Sequence, residues 1–131
     1  MKTGDVFFYK NFKFEDGNVS DKLLVLLAKA PDHKVMVVLT TSQQWKRELK
    51  DGCHASQEES YFTFNSNLAV FDKTTWIILK PRLLYEMGLV ARLEKGTVTQ
   101  LPSLKDVDYR AIVNCLKKSE DVSPFHLSLL N

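Results

Sequence analysis

Two apolar runs, KLLVLLAKA (Lys22–Ala30) and KVMVVLTTS (Lys34–Ser42), separated only by Pro31, Asp32 and His33, constrain the fold more than any other part of the chain. A Leu and Val run that scarcely alternates with polar residues suits a strand covered on both faces, because a half-exposed strand shows a polar residue at every second position. The short Pro-Asp separation favours an antiparallel hairpin between the two. The longest unbroken apolar stretch, Leu23 to Ala28, falls far short of the roughly 20 residues a membrane span needs. The runs are therefore expected inside a core, and no membrane contact is expected.

The surroundings of this hairpin read mostly as further strands. GDVFFYK (Gly4–Lys10) is aromatic and β-branched and bounded by glycine, and a loop dense in turn formers follows through Asp16, Gly17, Asn18, Ser20 and Asp21. QQWKRELK (Gln43–Lys50) reads as a helical turn or two stopping at Asp51 and Gly52, with an exposed loop after it as far as Ser60. YFTF (Tyr61–Phe64), a short LAVF (Leu68–Phe71) and TTWIILK (Thr74–Lys80) are expected strands, with Trp76 in the core or at a subunit contact. LVARL and TVTQL flank Glu94, Lys95 and Gly96 as a three-residue hairpin loop, its glycine where a left-handed backbone is needed.

Past Leu101 the pattern changes. Ser103 followed by Asp106 is an acidic variant of the capping box, and Val107, Ala111, Ile112, Cys115 and Leu116 recur at helical spacing. An amphipathic helix over 103–119 is expected, with Lys117 and Lys118 against the negative end of its dipole. Ser123 before Pro124 predicts a capped short helix over 123–130. The chain reads as one domain, residues 1–131, with strands in about 4–100: mainly β with a C-terminal helix (α+β), a small curved barrel or half-barrel.

Bulk composition narrows the function without choosing it. Apolar residues at 44% and charged residues at 26% fit a folded domain and exclude a disordered one. The net charge of +2, from 18 Lys and Arg against 16 Asp and Glu, is too small to mark a nucleic-acid binder, so any such role requires a local basic patch. Cys53 and Cys115 are far apart, lack Cys-x-x-Cys spacing, and are expected as reduced thiols. Lys10 and Lys13 interrupt the N-terminal apolar stretch, so no signal-peptide core is present, and the chain is read as complete and cytoplasmic. No Walker or Rossmann glycine loop occurs.

GDVFF at the N-terminus, FEDG, DKLLVLL opening the second strand, VVLTTS ending the third, and LKKSEDVS near the C-terminus resemble, in order and spacing, the PemK/MazF-type toxins of toxin-antitoxin pairs. The similarity covers about residues 4–42 and 103–123. It implies an SH3-like barrel that forms a homodimer, binds an antitoxin protein, and cleaves single-stranded RNA with no metal or other cofactor. Carried over position by position, the resemblance places a basic catalytic residue at Lys22 and a hydroxyl at Thr40, Thr41 or Ser42. Where the family has arginine followed by proline, this chain has Lys22 and Leu23, so a mobile point charge stands in place of a planar fork.

The residues themselves add three candidates for binding and one for proton transfer. Trp45, Lys46 and Arg47 set an aromatic face beside two cations directly after the hydroxyl cluster, the combination that grips single strands. His54, in the polar loop, is of the residue type most used as an acid or base in RNA cleavage. The competing expectation is a non-catalytic barrel of the same fold that holds a protein partner or nucleic acid in a groove.

Overall fold

The computed structural model describes residues 1–55, 58–65 and 70–130. In chain order the described elements are β1 (Val6–Lys13), β2 (Val19–Ala30), β3 (Lys34–Thr41), β4 (Gly52–His54), β5 (Tyr61–Phe64), β6 (Thr75–Ile78), β7 (Arg82–Tyr85), α1 (Glu86–Lys95), β8 (Val98–Leu101), α2 (Asp106–Lys118) and α3 (Pro124–Ser128). The strands form one antiparallel sheet in the order β4-β5-β6-β3-β2-β1-β8, with β7 also on β3, and the sheet is not closed. The protein is thus mainly β with three helices among the described residues. None of these helices is long and apolar enough to cross a membrane.

The central hairpin forms as its sequence requires. β2 and β3 pair antiparallel from Ala30 opposite Lys34 to Leu24 opposite Leu39, and Asp32 and His33 turn the chain with positive φ. Both faces are covered. Val25, Leu27, Met36 and Val38 face a cluster completed by Phe62 and Ile77 of the outer strands and by Ile112 and Leu116 of α2. Leu24, Leu26, Val35 and Val37 face a second cluster completed by Phe7, Phe12, Leu89 of α1 and Val98 of β8. Complete burial of each such side chain stabilises by about 1.5–3 kcal/mol over leaving it in water, and this two-sided covering is why the runs do not alternate.

A register shift in β1 decides which side chains reach the second face. Tyr9 pairs with Lys22 but Phe12 pairs with Ser20, so β1 carries one residue more than its partner over this stretch. The extra residue is accommodated at Asn11, in the left-handed region at φ 55°, a conformation asparagine tolerates better than most. The Asn11 N–H donates to the Asp21 carboxylate at 2.9 Å. Strand side chains alternate, so without the extra residue Phe12 and Phe14 would point away from the face that holds Phe7 and Tyr9. With it, all four lie in or against one cluster.

Several local expectations give way to tertiary contacts. The expected hairpin at Glu94–Gly96 is instead the end of α1, and β8 pairs with β1. Gly96 is left-handed at φ 83°, as expected, but it closes a helix whose Leu89 and Leu93 pack, four apart, on the second cluster. Gln43–Lys50 holds no helix: Trp45 has φ 50°, and the backbone of Glu48 is bonded to side chains of β5 and β6. Helix α2 starts at Asp106 with Lys105, not Ser103, at the N-cap and no side-chain cap, and the Ser103 hydroxyl donates instead to the buried Asp5 carboxylate at 2.7 Å. On α3 the expected cap is present, the Ser123 hydroxyl accepting from the His126 N–H at 3.2 Å. Leu68 and Ala69 of the expected LAVF strand lie outside the described residues.

The cysteines are the clearest correction. They are not free thiols: Cys53 of β4 and Cys115 of α2 are joined in a disulfide, with Cα atoms 5.4 Å apart. Cys115 lies on the inward stripe of α2, which packs against β4, so the helix that reads as merely amphipathic brings the distant thiol to its partner.

Candidate functional site

Residues 76–85 run along one edge of β3, first as β6 and then as β7, with Thr41 opposite Trp76 and Val37 opposite Arg82. Between the two, the chain leaves the ladder over Leu79, Lys80 and Pro81, a proline being unable to donate to the ladder. This break sets Lys80 and Arg82 beside the end of β3, across from Lys22 of β2. A cleft of about 330 Å³ results, lined by Lys22, Thr40, Thr41, Trp45, Arg47 and, among others, Phe14, Glu59, Lys80 and Arg82. Four cations against one carboxylate make it a local basic patch in a nearly neutral chain.

The cations are not equivalent. The Arg47 guanidinium donates to Glu59 Oε1 at 2.6 and 3.1 Å and to the Gln43 carbonyl at 2.9 Å, so its charge is largely answered within the protein. Lys22, Lys80 and Arg82 have no carboxylate partner among the described residues. Lys22 is half-buried, its ammonium 3.5 Å from the Thr40 carbonyl oxygen. Burial first, and the neighbouring Arg47 charge second, hold its pKa below the ordinary lysine range. A half-desolvated ammonium with no carboxylate partner among the described residues favours an anion beside it.

The sequence candidates fall into three groups. Lys22, Thr40, Thr41, Trp45 and Arg47 meet in this cleft. Ser42 lines a neighbouring cleft of about 1000 Å³ that shares Lys22, Thr40, Thr41 and Gln43 with the first, so these four form a wall common to both. Lys46 and His54 line neither. The indole of Trp45 is 82% exposed, its Nε1 donating to the Gln43 side-chain oxygen at 3.1 Å, so it is not packed into the core.

His54 is not the exposed loop residue its setting suggests. It belongs to β4 and is 9% exposed, its ring stacked on Tyr61 with centroids 4.8 Å apart. Its Nε2 is 2.9 Å from the Lys50 carbonyl oxygen and its Nδ1 3.1 Å from the Glu48 carboxylate. The polar segment 43–51 folds back onto the sheet, and a histidine with both nitrogens engaged there braces that segment.

Phe14, Glu59, Lys80 and Arg82 belong to the cleft without any sign in sequence spacing. The only local hint is Pro81 between two cations directly after a strand pattern, which marks a break in a ladder but not what the break faces. No protein-family model, curated protein or solved structure matches this chain.

Proposed function

We propose that this chain binds single-stranded RNA along the Lys22 cleft and cleaves it without a metal, as a PemK/MazF-like toxin does. The observation that carries this reading is the convergence of Lys22, Lys80 and Arg82, all without carboxylate partners among the described residues, on a concave site that also holds two hydroxyls and an exposed indole. Phosphate contacts supply affinity and the aromatic face takes a base. In the scheme we favour, the RNA 2′-hydroxyl attacks the adjacent phosphorus, Glu59 takes its proton, and the ammonium of Lys22 protonates the leaving 5′-oxygen. Arg82 and Lys80 answer the charge on the phosphoryl oxygens, and Thr40 and Thr41 orient the scissile group. The kinship of this open, curved sheet to the SH3-like fold of that family, the homodimer and the antitoxin partner belong to the same proposal.

One observation favours a second reading, a non-catalytic fold that holds RNA without cutting it: among the described residues none that lines the cleft is a histidine. The deciding experiment incubates labelled mixed-sequence single-stranded RNA with the protein in EDTA, beside Lys22→Ala and a Lys22→Ala, Thr41→Ala, Ser42→Ala variant. Cleavage by the wild type, slower by about 100-fold or more in folded variants, is the expected result. Tight binding without cleavage supports the second reading. Absence of both overturns the RNA assignment.

The depressed pKa of Lys22 adds a pH dependence. The cation is lost as pH rises through its lowered value, so RNA affinity declines at a pH where an ordinary lysine is still charged. Lys22→Arg moves that decline upward, because guanidinium keeps its proton. The sign for stability is opposite: the unfolded chain binds this proton more tightly, so stability rises with pH between the folded and unfolded pKa values. Binding titrations across alkaline pH for both proteins check the first effect.

A further inference from the structure

We infer that Phe14 is a positioning residue of this cleft, its ring holding the Lys22 ammonium and the Arg82 guanidinium at a set spacing while leaving both charges free for adjacent phosphate groups. The inference rests on the anion-binding reading above. The Lys22 ammonium lies 5.8 Å from the Phe14 ring centroid, and the Arg82 guanidinium lies 5.5 Å from Phe14 and 5.8 Å from Phe12.

A protein has two ways to order a long cationic side chain. An ion pair orders it but consumes its charge and its N–H donors, as Glu59 does for Arg47. An aromatic face attracts the cation through the ring quadrupole and leaves the charge and donors available to a ligand. Arg82 is ordered in the second way and Lys22 by the ring together with the Thr40 carbonyl 3.5 Å from its ammonium, and neither has a carboxylate partner among the described residues.

The ring is itself held. Phe14 packs edge-on against Phe12 at 5.3 Å and 71°, and Phe12 packs edge-on against Tyr9 at 5.0 Å and 78°. Phe12 is 5% exposed, which ties the ladder to the second buried cluster. The Phe14 N–H donates to the Asn18 carbonyl at 2.8 Å and its carbonyl accepts from the Gly17 N–H at 3.0 Å, pinning the backbone on both sides of the turn. The extra residue at Asn11 turns this ladder toward the cleft.

The test compares wild type, Phe14→Leu and Phe14→Trp with two probes, a 2′-O-methyl uridine decamer, which lacks the attacking hydroxyl, and linear inorganic polyphosphate, each over a salt series. Phe14→Leu keeps apolar packing and removes the quadrupole. It is expected to weaken both probes by about tenfold, with the slope of log affinity against log salt unchanged because both cations remain. Arg82→Gln, by contrast, lowers the slope for the decamer by about 0.7. Phe14→Trp is expected to bind both probes at least as tightly as wild type.

Weakening confined to the decamer would make Phe14 a base-stacking residue and overturn the positioning role, as would unchanged affinity or a reduced slope in Phe14→Leu. Wild-type binding of polyphosphate without the decamer defeats the RNA reading and leaves the positioning role to be decided on polyphosphate. A readout without ligand decides it if neither probe binds: the ring-current shift of the Arg82 side-chain N–H resonance is expected to fall in Phe14→Leu, to the part that Phe12 supplies, but not in Phe14→Trp, and no difference overturns the role.

Discussion

Reduction of the Cys53–Cys115 bridge lowers the free energy of unfolding by about 4 kcal/mol, the loop-closure value expected for a sequence separation of 62 residues. The bridge fastens β4, only three residues long and an end strand of the sheet, to α2. Opened, it leaves β4 held by its pairing with β5 and by the burial of His54. Urea unfolding with and without dithiothreitol measures the effect, and a Cys53→Ser, Cys115→Ser variant should unfold like the reduced protein. Coincident midpoints for oxidised and reduced protein would show that the cross-link contributes nothing.

Trp76→Ala is expected to destabilise by about 4 kcal/mol, in the range for a fully buried aromatic side chain, and to weaken the cleft at the same time. The indole is 2% exposed and its Nε1 donates to the Glu48 carbonyl at 2.9 Å, an oxygen that also accepts from the Thr63 hydroxyl at 3.1 Å. Through Glu48, Trp76 tethers the segment that carries Trp45 and Arg47 into the cleft. Trp76→Phe separates the two roles. It keeps most of the packing and is expected to cost only about 1–2 kcal/mol for the lost hydrogen bond and the smaller ring, with Thr63 still satisfying the carbonyl. Chemical denaturation of the three proteins gives the stability terms, and RNA titration of the folded variants gives the effect on the cleft. Equal losses for alanine and phenylalanine would mean that the hydrogen bond, not the ring volume, dominates.

The parts of the fold legible in the sequence are those where local pattern and tertiary environment agree. Lys22–Ala30 and Lys34–Thr41 show their two-sided burial as an absence of alternation, and Tyr61–Phe64 and Thr75–Ile78 show β-branched and aromatic enrichment. Ser123 and Pro124 state a helix start in local chemistry alone. Where local chemistry serves two structures equally, packing decides. Gly96 with its left-handed backbone fits a hairpin or a helix end, and the burial of Leu89 selects the helix. Ser103 fits a cap, but Asp5, 98 positions away, offers a buried carboxylate that claims the hydroxyl.

The candidate site divides on the same line. Lys22, Thr40 and Thr41 sit at strand ends whose positions follow from the hairpin, so their meeting can be anticipated. Trp45 and Arg47 come from a segment without regular structure and reach the cleft because Glu48 is tethered to β5 and β6. Phe14 and Arg82 depend on an extra residue in one strand and a break before another, neither of which hydrophobic periodicity reports. The disulfide is least legible of all, since sequence spacing says nothing of which helix face meets which strand.

The place of β1 in the sheet governs when the molecule can assemble. β1 is flanked by β2, its neighbour in the chain, and by β8, with Val6 opposite Leu101 and Tyr9 opposite Val98. During synthesis β1 therefore has one row of backbone groups without its native partner until β8 has been made. Such long-range pairing slows closure of the sheet toward the millisecond-to-second regime typical of β-rich domains. During synthesis the Phe7 and Phe12 side chains wait for Leu89 and Val98 to cover them. Aggregation of nascent chains, more than of the finished protein, is the hazard this topology carries.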